Sequence, residues 1–195
     1  MIITKSFLQE QANKNNITEF YLKHGQILNE NMNIAKRHDG KEEYDVFLSH
    51  SYLDKTRVMT LVKLFNDTGY SVYVDWIDDR QLNRSEVNSE TALTLRQRME
   101  MSKGLAYLAT SNITYSKWCP WELGYFDGKK NGRCCILPVM DYASFKGQEY
   151  LGIYPYIDYE IVRNSDRYDF WVNSPKENKY VSLREWLNGK DPYSH

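Results

Sequence analysis

The run Gly104-Leu-Ala-Tyr-Leu-Ala109 is strand-length and apolar throughout, with no alternate polar position to turn toward water. A strand of that kind has to be covered on both faces. The rest of the chain must therefore supply a layer above it and a layer below it. Val58, Leu61, Val62 and Phe65 recur at the spacing of one helical face, and Gly69 stands where a left-handed helix stop is favoured. Ala92, Leu95 and Met99 mark another helix, ending near Ser102. Tyr44-Asp-Val-Phe-Leu48, Tyr70 to Asp75, Cys134 to Val139 and Tyr156 to Val162 each have strand length, with Pro138 near a strand end or on an edge. Strands alternating with helices at this spacing predict an α/β fold: a central five-stranded parallel sheet with helices on both faces.

The 195 residues suit one domain with an extension and can bury a sizeable core without disulfides or metal. Ile17, Phe20, Tyr21, His24, Ile27 and Leu28 recur at three- and four-residue intervals and predict an amphipathic helix. Asp39-Gly40-Lys41-Glu42-Glu43 reads as a polar hinge. We therefore expect a helical extension over 1–43, the compact domain over 44–165, and a C-terminal loop and closing helix over 166–195 packed on it. Arg163 to Lys179 is polar and reads as loop. Ser182-Leu-Arg-Glu185 has capping-box form and opens a helix with Leu183, Trp186 and Leu187 facing in.

Charge narrows the partners. With 25 basic and 26 acidic residues, the net charge of -1 gives no global field to draw in phosphate backbones or anionic lipid. Neither nucleic acid nor membrane is an expected partner, and no run of eighteen apolar residues occurs. Cys119, Cys134 and Cys135 are odd in number and lack CxxC spacing, which fits neither a disulfide framework nor a zinc site. These features point to a soluble protein of a reducing compartment, the cytoplasm, with no metal.

In such sheets ligands bind beyond the carboxyl ends of the strands. The loops after Leu48, Asp75 and Ala109 emerge at that edge, bringing Ser49 to Asp54, Trp76 to Ser85 and a helix start near Trp118 to one rim. Asp54 is placed to cap the helix that follows it. In Ser116-Lys-Trp118-Cys-Pro-Trp-Glu122-Leu123 the carboxylate follows a tryptophan by four positions, so the two share a helical face. An aromatic wall and an acid on one face suit a site that holds a flat ring while the acid works on the attached sugar. Spacing alone equally allows Trp118 as a core anchor and Glu122 as an ordinary first-turn glutamate favoured by the helix dipole. Trp121 points about a quarter turn away, toward packing. Ser49, His50 and Ser51 can offer donors to a phosphate or ribose, but successive residues leaving a strand alternate faces, so they form no triad among themselves. Arg80 and Arg84 are either pyrophosphate contacts or solvated loop arginines. The chain has no Gly-x-Gly-x-x-Gly and no Gly-rich phosphate-binding lysine motif, so a Rossmann-type retained cofactor and ATP hydrolysis lose support.

Several of these segments together resemble the Toll/interleukin-1 receptor (TIR) domain, particularly its bacterial branch. They are Tyr44-Asp-Val-Phe-Leu-Ser-His-Ser, the Trp76 to Ser85 loop, Met99 with Ser102, Ser111, Ser116-Lys-Trp-Cys-Pro-Trp-Glu-Leu and Ile136-Leu-Pro-Val139. The likeness covers roughly Tyr44 to Val162 in family order, leaving the N-terminal helix and the closing segment outside. It implies a flavodoxin-like three-layer fold. TIR domains divide into associating scaffolds and enzymes that cleave NAD at the nicotinamide glycosidic bond, the latter carrying a glutamate where Glu122 stands. The resemblance thus implies an NAD+ nucleosidase with Glu122 as catalytic carboxylate and Trp118, Ser49, His50, Ser51, Trp76, Arg80 and Arg84 as candidate substrate contacts. NAD would be a substrate and no cofactor would be retained. The product would be ADP-ribose or a cyclic ADP-ribose isomer. Self-association through TIR surfaces is implied too, as is, for members in antiphage defence such as the Thoeris type, a separate effector reading the nucleotide. Two alternatives stay open: a non-catalytic scaffold, and a nucleoside deoxyribosyltransferase-like enzyme.

Overall fold

The computed structural model describes residues 2–17, 36–38, 41–79, 87–139 and 152–195. Its strands are β1 (Lys36–His38), β2 (Lys41–Ser49), β3 (Val72–Tyr73), β4 (Ser102–Ala109), β5 (Cys134–Pro138), β6 (Tyr156–Ile161), β7 (Tyr168–Asn173) and β8 (Tyr180–Ser182). Its helices are α1 (Lys5–Lys14), α2 (Lys55–Asp67), α3 (Asp75–Asp78), α4 (Ser89–Glu100), α5 (Trp118–Lys129) and α6 (Leu183–Leu187). Strands β3, β2, β4, β5 and β6 pair in that order, all parallel. The expected five-stranded parallel sheet is present, with the strand order of a flavodoxin-like doubly wound fold.

Both faces of β4 are covered, as its composition required. Ala106 and Leu108 join Val46, Leu48, Cys135 and Leu137 in one core, beneath Val58, Leu61 and Phe65 of α2 and Leu8 of α1. Leu105, Tyr107 and Ala109 face the opposite way, into a core with Leu95 and Met99 of α4 and Trp118, Leu123 and Phe126 of α5. Helix α2 stops where expected. Gly69 takes φ +81°, Tyr70 N–H donates to the Phe65 carbonyl and Gly69 N–H to that of Asn66, the paired bonds of a Schellman stop. Ser182 caps α6, its Oγ accepting from Glu185 N–H while bonding the Glu185 carboxylate.

Two expectations are corrected: Arg163 to Lys179 as loop, and the polar hinge, whose Lys41, Glu42 and Glu43 already belong to β2. The stretch after Val162 is not simply loop: β7 adds antiparallel to β6, and β8 to β7. The alternation that builds β7 is short, with Phe170 and Val172 fully buried between half-buried neighbours, and the charged residues around it hid it. At the N-terminus the described helix is α1, upstream of the expected one. Thr4 caps it by accepting from Phe7 N–H, and Leu8 and Ala12, four apart, are buried. The expected helix over 17–28 lies outside the described residues except for Ile17, which is buried in the same core. Strand β2 begins at Lys41 as an antiparallel partner of β1, and enters the parallel sheet at Tyr44, opposite Ser102. No helix among the described residues is long and apolar enough to cross a membrane.

Gly104 shows how tightly α6 seals the sheet. A Cβ there would stand 2.6 Å from Leu187 Cδ2 and 2.9 Å from Trp186 Cζ3. Gly104→Ala is expected to push α6 outward and lower unfolding stability by about 1–3 kcal/mol, read as a lower urea midpoint. An unchanged midpoint would mean that α6 does not need this contact.

Candidate active site

Among the described residues, the segments that leave β2, β3 and β4 start at the carboxyl edge of the parallel strands, and Trp76 to Asp78, expected as loop, belongs to the short helix α3. Ser49 ends β2, opposite Tyr107 of β4, and its side chain falls on the face occupied by α5. There its Oγ donates to Glu122 Oε2 at 2.6 Å, and both side chains are fully buried. A short hydroxyl-to-carboxylate bond is among the stronger hydrogen bonds, and a buried carboxylate requires such partners. Glu122 lies in the second turn of α5, past the first-turn position that the helix dipole favours. Ser116 caps that start, its Oγ accepting from Cys119 N–H at 3.2 Å.

Trp118 is buried on the face of α5 that carries Glu122. It meets Trp121 edge to face, with ring centroids 5.4 Å apart. Trp121 stacks in turn on Tyr125, with the Arg96 guanidinium over both rings, which is the packing role its direction implied.

His50 turns away from Ser49 and Glu122, as alternation requires. Its Nδ1 lies 2.8 Å from the Leu48 carbonyl, and its Nε2 takes the indole N–H of Trp76 at 2.9 Å. An indole only donates, so in this arrangement Nε2 is unprotonated and Nδ1 carries the hydrogen. Asp75 Oδ1 is 3.3 Å from the same Nε2. These contacts fix the ring's orientation. Ser51 is a turn cap, its Oγ accepting from Leu53 N–H. Trp76, partly buried, carries the Lys55 ammonium 5.4 Å from its ring centroid. Arg80 and Arg84 lie outside the described residues.

The structure also brings in residues that spacing did not single out as a group. Asp54 makes no side-chain capping bond to a backbone N–H of the helix it was expected to cap. Its carboxylate instead accepts from Thr110 Oγ1 at 2.6 Å, from Asn112 Nδ2 at 2.8 Å and from Arg57. Cys119 Sγ donates to the His50 carbonyl at 3.1 Å, a second tie between the end of β2 and the start of α5. Asp79, at the foot of the long loop, receives a two-pronged contact from Arg98, both bonds 2.8 Å, and a third bond from Tyr73. Burial, reinforced by Asp79, pushes the Tyr73 phenol far above its ordinary pKa and keeps it a donor. These partners are distant in sequence, and nothing in residue spacing announces them. A separate cleft of about 620 Å³ lies between α1 and the start of α2, lined by Lys5, Gln9 and Arg57 among others, with Asp54 at its edge and Glu122 outside it. All three cysteines are buried and free, and burial pushes the Cys134 and Cys135 thiols well up, away from nucleophilic use.

No family model matches the chain. Among curated proteins it is 42% identical over 184 residues to the "Probable 3' cyclic ADP-D-ribose synthase ThsB'" of Bacillus cereus (strain MSX-D12), covering 93% of this chain and 87% of that protein. It is 40% identical over 86 residues to the "Putative cyclic ADP-D-ribose synthase TIR2" of Cytobacillus dafuensis, a match spanning 44% of this chain and 23% of that relative. Among solved structures, the TIR domain of the Toll-related receptor TRR-2 from Hydra magnipapillata matches 55% of this chain and 78% of its own, at 19% identity and a TM-score of 0.42.

Proposed function

This chain belongs to the family of bacterial TIR-domain proteins that includes ThsB', and from that premise we propose that it cleaves NAD at the nicotinamide–ribose bond to make a cyclic ADP-ribose-type signal. The reading rests on one observation above the others: the buried Ser49–Glu122 pair at the carboxyl edge of the sheet. Nicotinamide in NAD is already cationic. When the glycosidic bond breaks, its electron pair leaves with the ring and neutralises the pyridinium, so no proton donor is needed. Ordinary glycoside hydrolysis needs two carboxylates because its leaving oxygen must be protonated. Here one suffices.

Glu122 then stabilises the positive charge that develops on the ribose, held in place by the Ser49 hydroxyl. Trp118, the Trp76–His50 pair, Ser51, Arg80 and Arg84 are the candidate contacts for the rest of the substrate, the two arginines for its pyrophosphate. An oxygen closes the reaction by bonding to the ribose carbon and giving up its proton. Water in that role yields ADP-ribose, and a hydroxyl elsewhere in the same molecule yields a cyclic product. The relatives' names, cyclic ADP-D-ribose synthases, favour the cyclic outcome for this chain. NAD is consumed, not retained. Copies associate through TIR surfaces, and a separate effector protein reads the product in antiphage defence.

Mass spectrometry of reactions on NAD and on deoxynucleosides tests this reading. The expected outcome is nicotinamide and a cyclic nucleotide from NAD, with no base exchange on deoxynucleosides. Base exchange would instead point to a deoxyribosyltransferase. Self-association with NAD left intact would point to a scaffold.

A further inference from the structure

We propose that Asp54 is a positioning residue that clamps the segment leaving β2 to the segment leaving β4, and thereby sets where Glu122 stands relative to Ser49. Its kinetic consequence rests on the NAD-cleaving reading above; its structural consequence does not. In this strand order the reversal falls between β2 and β4, the crevice where ligands bind in doubly wound sheets. Asp54 bridges that crevice. It follows Ser49 on the β2 side, and it is held by Thr110 and Asn112 on the β4 side. The network closes on itself, because Asn112 N–H also donates to Thr110 Oγ1 at 3.1 Å. From Asn112 the chain runs through a short turn, Ile113–Tyr115, to the Ser116 cap of α5 and so to Glu122. Ser49 and Glu122 therefore sit on two separate segments, and Asp54 joins those segments.

The chemistry at position 54 requires a carboxylate. Each of its partners, the Thr110 hydroxyl, the Asn112 amide and the Arg57 guanidinium, donates. Both Asp54 oxygens accept, and the side chain is almost fully buried. An amide in its place can keep an acceptor for Asn112 and Arg57 only by turning its NH2 to Thr110, whose hydroxyl must then accept, and it loses the charge that faces Arg57. A glutamate keeps the charge but moves it outward by one methylene. A misplacement of about 1 Å can lower a rate by about 10²-fold without changing how substrate binds.

The experiment compares wild type with Asp54→Asn, Asp54→Glu, the milder Thr110→Val and the double variant Asp54→Asn with Thr110→Val. Rates are normalised to the folded fraction, and hydrogen exchange is read by peptide without substrate. The expected result for Asp54→Asn is a kcat about 30- to 100-fold lower with KM within about threefold. Exchange should rise across 110–123 while β4 and β5 stay protected. Asp54→Glu should fail to restore kcat, and Thr110→Val should give a smaller loss that does not add to that of Asp54→Asn. Native exchange across 110–123 in Asp54→Asn would overturn the clamp, as would a kcat per folded molecule equal to wild type. If wild type leaves NAD intact, the NAD-cleaving reading fails by itself, and the exchange data alone decide on Asp54.

Discussion

Glu122→Gln is expected to slow NAD consumption by about 10³-fold, roughly 4 kcal/mol of lost transition-state stabilisation. The substitution keeps size and shape, and the Ser49 hydroxyl still finds an acceptor in the amide oxygen. What disappears is the negative charge beside the forming ribose cation. Because a buried charge is removed rather than an apolar group, the fold should not suffer, and stability should stay level or rise. The discriminating pattern is therefore a lost rate on an intact protein, followed by NAD depletion and urea unfolding on the same sample. Equal turnover by the two proteins would return Glu122 to the status of an ordinary helix glutamate.

The second large effect concerns the part of the chain that sequence reading took for loop. Phe170 stacks on Phe65 of α2 with ring centroids 4.0 Å apart, and its edge meets Tyr70. It is fully buried in the core that α2 shares with the sheet. Phe170→Ala should cost about 3–5 kcal/mol, the range for emptying an aromatic site in a core. The measured quantity is the shift of the urea midpoint at unchanged m. Loss of less than about 1 kcal/mol would mean that β7 is a surface strand, not part of the core.

How much of this was legible beforehand follows from what each feature depends on. The parallel sheet was legible because Gly104 to Ala109 cannot face water, and because the α2 stripe and Gly69 carry local signals for a helix and its stop. The start of these segments at one rim, after β2, β3 and β4, followed from topology alone. Strand β7 was not legible, since its burial rests on Phe170 and Val172 set among Asp, Asn and Arg residues. Helix α1 was missed for a similar reason. Leu8 and Ala12 are its only buried positions, and the stronger apolar periodicity downstream drew the expected helix there.

The site divides the same way. Trp118 and Glu122 were legible as a pair because four residues make one helical turn. The bond from Ser49 to Glu122 spans 73 positions, and that from Asp54 to Asn112 spans 58. Only the folded sheet brings such residues together. His50 was legible in direction, through strand alternation, but not in its partner, the Trp76 indole. The end of β2 thus divides its residues between two tasks: Ser49 bonds the Glu122 carboxylate, and His50 holds the Trp76 indole.

Wild-type protein supplied with NAD, its products separated by chromatography and weighed by mass spectrometry, gives the most direct measurement. Nicotinamide should appear in step with NAD loss, together with a nucleotide lighter than ADP-ribose by one water. NAD recovered intact, with no nicotinamide released by a folded sample, would contradict NAD cleavage at Glu122.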